Sequence, residues 1–193
     1  IAHAAGHTVS VLDAFFTSVS AVCVTGLIVA DTPVDFSVFG QVVVMLLIQA
    51  GGLGYMTLST VLTVAIGRSV TLQERLTLQE ALNVQDMNGL VRFAGNVLKL
   101  TLAFELAGAL ILALYWWPSM GLAAAAWRGL FHAVSAFNNA GFALWSDNLM
   151  RFRGDVTVNV VITVLIILGG LGFFVWTELL TRRRSAVKLS VHT

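Results

Sequence analysis

Between Asp35 and Arg68 the chain carries no charged side chain, so residues 36–67 are thirty-two uncharged positions in a row. A helix needs about 20 apolar residues to cross the hydrocarbon layer, and this run accommodates one span. Leu100 to Trp127 is a second such stretch, interrupted only by Glu105, with Pro118 expected to end its helix. Val156 to Thr177 is a third, twenty-two residues without a charge. Hydrophobic residues make up 58% of the 193 and charged ones 11%, against roughly 25% charged in a soluble domain. Such a chain cannot cover its surface with polar groups in water, and a membrane protein is expected.

Other classes are excluded on composition. The single Cys23 rules out a disulfide framework and any multi-cysteine metal site. A net charge of +1 gives no general electrostatic case for nucleic acid. The opening lacks a signal-peptide pattern and starts at Ile1, so the chain is expected to be a segment of a longer protein, or a processed one.

Two further apolar runs are too short and too polar to span. Ala14 to Ala30 contains Thr17, Ser18, Ser20, Thr25 and Gly26, and Leu130 to Leu144 contains His132, Ser135, Asn138, Asn139 and Gly141. Both read as re-entrant segments, whose backbone must be buried in protein or line a wet cavity. They are copies of one another. Residues 20–27, SAVCVTGL, align with residues 135–142, SAFNNAGF, at an offset of 115, as do Phe16 with Phe131 and Val19 with Val134. Asp31 answers Asp147 at 116, and Gly51-Gly52-Leu53-Gly54 answers Gly169-Gly170-Leu171-Gly172 at 118. An internal repeat of this kind dictates the fold.

Basic residues orient the units. Arg68, Arg75, Arg92, Lys99, Arg182, Arg183, Arg184 and Lys188 flank one side, and Arg128, Arg151 and Arg153 the other. The positive-inside rule places the linker and tail in the cytoplasm and the glycine turns outside, with Trp116, Trp117, Trp127 and Trp145 at the outer headgroup level. A short helix followed by an extended stretch ending in Gly is what an ion filter needs, because aligned carbonyls replace a cation's water shell and Gly takes backbone angles closed to other residues. The candidates are Val22, Cys23, Val24, Thr25 and Gly26, and Phe137, Asn138, Asn139, Ala140 and Gly141. Gly26 and Gly141 are expected at one depth, separated by roughly 5–10 Å, with carbonyls turned to a shared opening.

These motifs, with IQAGGLGYMT at 48–57 and FHAVSAFNNAGF at 131–142, resemble the Trk/Ktr/HKT superfamily of potassium transporters, most closely its KtrB-type membrane subunits, from about Asp13 to Glu178. The resemblance implies an all-α integral membrane protein of potassium-channel-like helix–pore-loop–helix repeats, four around one pore, each filter carrying one key Gly. Gly26 and Gly141 match those glycines. It further implies potassium uptake across the cell membrane, a homodimer, a cytosolic nucleotide-binding regulatory subunit, modulation by sodium and no cofactor or enzyme activity. Residues 1–67 then end a first repeat (pore loop 13–31, span 38–67), 68–89 link, and 90–182 form the second. That second repeat comprises a span 92–117, a pore loop 123–148 and a span 155–181, followed by a basic tail 183–193. Repeats three and four and the first outer helix are missing, and two filter strands cannot encircle an ion. Cys23 stands where Thr is more familiar, and a thiol there is a target for oxidants or soft metals.

Several residues admit two readings. The GGLG glycines either flex a helix or let helices pack closely. Glu105 is an intramembrane acid with a function, or pairs with Lys99 near the interface. His132 and Ser135 share a helix face as a nucleophile–base pair would, so one competing class is an intramembrane hydrolase; another is a broken-helix transporter of another solute, whose Gly-interrupted helices also come in pairs. Asp31, Asp35, Asp147 and Asp155 either concentrate cations at a pore mouth or simply make loops polar. The polar linker Leu72–Asn88 either meets a regulatory partner or only connects.

Overall fold

The computed structural model describes residues 6, 8–54, 87–171 and 175–176. Among these the secondary structure is entirely helical, in the order α1 (Val11–Val22), α2 (Thr32–Asp35), α3 (Val38–Leu53), α4 (Met87–Met120), α5 (Leu122–Phe137), a 3-10 turn (Met150–Phe152) and α6 (Val156–Gly170). Helices satisfy their own backbone groups, as a lipid environment demands. The expected linker 68–89 lies outside the described residues except for its last three, which begin α4, and the tail 183–193 lies wholly outside. So do the ends of the spans expected at 38–67 and 155–181, beyond Gly54 and Trp176 respectively.

α4 holds the one segment among the described residues long and apolar enough to cross a membrane, Gly95–Met120, with 26 residues and a mean hydropathy of 2.0. It runs past Pro118, where the sequence reading ended it, to Met120. A proline in the last turn removes only one donor, and the Gly121 N–H still reaches the Trp117 carbonyl at 3.0 Å. Gly121 then adopts φ +81° and turns the chain into α5.

Two compact units form, Ile1–Gly52 with Ala103–Gly170, and Leu53–Leu102 with Leu171–Thr193. In the second, the described part of α4 buries Val97 and Thr101. The first contains both glycine-turn segments. Its core joins Ala21 of α1, Val44 and Ile48 of α3, and Phe131, Val134, Ala140, Phe142 and Leu144 from α5 and the segment after it. Glycines allow the closest approaches. A Cβ on Gly129 of α5 would come within 2.7 Å of the Ala109 carbonyl of α4, and one on Gly108 within 2.7 Å of Leu165 of α6. α5 is therefore buried from Phe131 to Phe137, whereas Val11, Leu12 and Phe15 of α1 are 88%, 75% and 66% exposed.

Trp116 and Trp145 depart from the expected headgroup belt. Both are buried, stacked edge to face at 4.8 Å, with Phe152 at 5.0 Å from Trp145 and the Arg128 guanidinium 5.1 Å above its ring. The loop after α5 folds back and covers them. Trp117 is half exposed, and Trp127 donates its Nε1–H to Gln41 Oε1 at 2.9 Å.

Gly51, Gly52 and Gly169 of the GGLG motifs serve close packing, while Gly54 faces open space and Gly172 lies outside the described residues. A Cβ on Gly51 would strike the Val22 carbonyl at the end of α1, and one on Gly169 would strike the Phe137 carbonyl at the end of α5. Gly170 has only the Asn139 Nδ2 at 4.0 Å. Gly169→Ala is expected to destabilise the protein by about 3 kcal/mol, because a rigid backbone group has to shift, whereas Gly170→Ala costs under about 1 kcal/mol. Thermal unfolding of the two purified variants in detergent checks this; equal midpoints would mean that the glycines act in another way.

Candidate ion-filter site

Both short helices end in the same hydrogen-bonded turn. At the end of α1 the Val24 N–H donates to the Ala21 carbonyl at 3.2 Å and the Thr25 N–H to the Ser20 carbonyl at 3.0 Å. At the end of α5 the Asn139 N–H donates to Ala136 at 3.0 Å and the Ala140 N–H to Ser135 at 2.8 Å. These are the crossed bonds of a Schellman cap, whose turn residue has to be left-handed. Val24 and Asn139 are that residue, at φ 56° and 58°. Asn accepts this conformation, while a β-branched Val in it is an outlier held by its surroundings. Gly26 and Gly141 follow at φ 73° and 76°. The 115-residue offset therefore extends from residue types to dihedral angles.

The two glycines lie side by side. A Cβ on Gly26 would sit 3.4 Å from the Gly141 Cα and 2.6 Å from the Ala140 carbonyl oxygen, and one on Gly141 would sit 3.5 Å from the Gly26 Cα. The two turn segments therefore touch at their glycines, side by side. Among the described residues, the carbonyls of Cys23, Val24, Thr25, Gly26, Asn138, Asn139 and Ala140 accept no hydrogen bond, and Gly141 accepts one from the Asn148 side chain at 3.3 Å. Unpaired carbonyls at the end of an apolar helix are groups that want a cation or water.

The second segment is held more firmly than the first. His132 Nδ1 lies 2.7 Å from the Arg128 carbonyl, and its Nε2 accepts from the Leu144 N–H at 3.2 Å. Those partners set the tautomer: Nδ1 carries the proton and Nε2 is occupied. Ser135 Oγ donates to the Phe142 carbonyl at 2.6 Å. Histidine and serine thus each brace the returning chain, and neither is available as the base or nucleophile of a hydrolase. The counterpart of His132 is Thr17, whose buried hydroxyl has no partner among the described residues, and the returning Leu27, Ile28 and Val29 are exposed. Ser20 instead bonds Thr25 Oγ1 at 2.9 Å.

Asn138, the cap of α5, is the residue whose importance the sequence reading understated. Its buried Nδ2 donates to Glu105 Oε1 and to the Val134 carbonyl, both at 2.9 Å. Glu105, an acid with two readings, turns inward to this amide and is 2% exposed. The carboxylates of Asp35, Asp147 and Asp155 have structural partners. Asp147 pairs with Arg151 at 2.7 Å, which holds its carboxyl below the ordinary range. Asp155 accepts from Tyr115 at 2.6 Å, which lowers its pKa, and caps α6 through the Val158 N–H at 3.1 Å. Asp35 accepts from the Asp31 N–H at 2.7 Å.

A family model described as a cation transport protein, TrkH, matches residues 2–191 of the 193. The chain belongs to the TrkH family. It is 46% identical over 182 residues to the Ktr system potassium uptake protein B of Bacillus subtilis, an alignment covering 94% of this chain and 41% of the relative. Identity to the protein of the same name from Vibrio alginolyticus is 40% over 185 residues, covering 95% and 41%. Identity to the potassium/sodium uptake protein NtpJ of Enterococcus hirae is 37% over 188 residues, covering 97% and 42%. The chain thus spans about two fifths of the length of these TrkH-family relatives.

Two substitutions test the braces. His132→Leu leaves the buried Leu144 N–H without an acceptor and is expected to cost about 1–3 kcal/mol. Asn139→Val places a β-branched residue at φ 58° and is expected to cost about 1–2 kcal/mol, while Asn139→Gly costs less. Denaturation of the purified variants in detergent reads both; an Asn139→Val protein as stable as Asn139→Gly would refute the strain argument.

Proposed function

We propose that this chain contributes two of the walls of a potassium-conducting filter in a membrane subunit of a potassium uptake system. The observation that carries the reading is the pair of matched turns, each presenting a run of carbonyls without hydrogen-bond partners, with Gly26 against Gly141. Carbonyl oxygens at the end of an apolar hairpin replace water around a cation of low charge density, and the electrical potential across the membrane drives that cation inward. Val22 to Gly26 and Phe137 to Gly141 are the filter segments, α1 and α5 their pore helices, and α3, α4 and α6 the flanking spans. The names of the relatives, potassium uptake proteins and a potassium/sodium uptake protein, support potassium as cargo and sodium as a modulator or competitor. A filter requires more walls than these two, which fits a chain matching two fifths of its relatives' length.

The assembly proposed is a multi-pass protein of the cell membrane, with the linker and tail in the cytoplasm, working as a homodimer with a cytosolic nucleotide-binding regulatory subunit. The word "system" in the relatives' names is the support for a multi-component transporter.

The experiment is ion competition. Gly26→Ser, made in the full-length protein and placed in cells without their own potassium uptake, is expected to lower selectivity for potassium over sodium at least tenfold while the protein still reaches the membrane. Its side chain would enter at φ 73° and 2.6 Å from the Ala140 carbonyl, deflecting the neighbouring wall as well as its own. Gly141→Ser meets more open space and is expected to be milder. Wild-type selectivity in a Gly26→Ser protein present at normal levels would overturn the filter reading.

A further inference from the structure

The second turn contains a polar cluster that the first lacks. Asn138 sits where its segment leaves α5, and its equivalent in the first turn is Cys23, an exposed thiol. Three helices meet at the Asn138 side chain. Glu105 comes from α4, the Val134 carbonyl from α5, and Gln49 Oε1 from α3, the last at 3.4 Å. Gly52, three residues beyond Gln49, lies so close that a Cβ there would run into the Asn138 side chain itself. α3 is the helix that follows the first filter segment, so Asn138 touches elements of both repeats.

Burying a carboxyl group within a membrane span is costly unless its oxygens are used. Helix packing alone is served by a leucine at position 105. The acid instead provides the acceptor that an amide at the helix end needs, and the amide in turn bonds its own helix one turn back. The carbonyls that follow Asn138 inherit their direction from that anchor, since Asn139 and Ala140 continue from it without hydrogen bonds to their own carbonyls among the described residues.

We propose that Glu105 is a positioning residue for ion selectivity: through Asn138 it sets the direction of the second filter segment, and through the Asn138–Gln49 contact it keeps that segment in register with the first. This rests on the filter reading above. Glu105 touches no cargo; it acts through the amide.

The test compares Glu105→Met, which keeps the volume and removes the acceptor, with Glu105→Gln, which keeps an acceptor oxygen and removes the charge. Both are made in the full-length protein and read by the ratio of potassium to sodium uptake in cells lacking their own potassium uptake, alongside the amount of protein in the membrane. Glu105→Met is expected to lower that ratio about fivefold, the worth of one lost hydrogen bond, and Glu105→Gln to recover most of it. Glu105→Met with wild-type selectivity at normal membrane levels overturns the proposal. If Glu105→Met fails to reach the membrane, Gln49→Leu, which removes the contact from α3, gives the reading; unchanged selectivity there overturns the link between the segments. Gly26→Ser in the same assay separates the two ideas. Lost selectivity in Gly26→Ser but not in Glu105→Met sinks only the clamp, and no loss in Gly26→Ser sinks the filter itself.

Discussion

Each short helix ends on a carbonyl, Val22 or Phe137, over which the backbone of a later helix passes at a glycine, Gly51 or Gly169. At a helix end the last carbonyls have no partner in the next turn, and the Schellman bonds satisfy only those of Ser20 and Ala21, or Ser135 and Ala136. The chain therefore leaves each helix with most of its remaining carbonyls unspent, the Phe137 carbonyl accepting only a long bond from the Asn139 side chain at 3.4 Å. Backbone-to-backbone contact with α3 or α6 fixes the position at which this happens. A side chain at either glycine would push the long helix outward and release the turn. The placement of the candidate filter segments thus follows from two missing methyl groups.

Much of this was legible in the sequence, because it depends on residues close together in the chain. The repeat, the short helices and the two turns follow from local spacing, and Gly26 and Gly141 mark themselves as the residues able to hold a left-handed backbone. The role of the GGLG motif was ambiguous for a physical reason. A glycine chosen for flexibility and one chosen for contact look identical until the group it touches is known. Asn138 was hidden more thoroughly, since its partners Glu105 and Gln49 lie 33 and 89 positions away. The pairing of His132 with Leu144 was likewise invisible, and the shared face of His132 and Ser135 pointed to chemistry where the structure shows two braces. Trp116 and Trp145 misled through their residue type, because indoles favour interfaces in general but here stack in a core.

The two copies are alike in backbone and unlike in support. The second turn is secured by His132, Ser135, Asn138 and Glu105, and its helix α5 is covered by α4 and α6. The first has Thr17 and Cys23 at the corresponding positions and a strained Val24 at its bend. The same backbone geometry is thus reached with different side-chain partners, Ser20 with Thr25 in the first copy and His132, Ser135 and Asn138 in the second.

The fit between Gly52 and Asn138 carries a consequence for how such a chain can change over time. The amide occupies the space that a β-carbon on Gly52 would need, so the two positions share one small volume although they belong to different repeats. Because a Cβ on residue 52 would also meet the Asn138 β-carbon at 2.7 Å, residue 52 can be enlarged only after residue 138 has become glycine, and a chain that tries the steps in the reverse order passes through a jammed intermediate. The duplicated halves are consequently not free to drift apart one at a time: divergence of the second turn is licensed by a glycine that the first half has to keep.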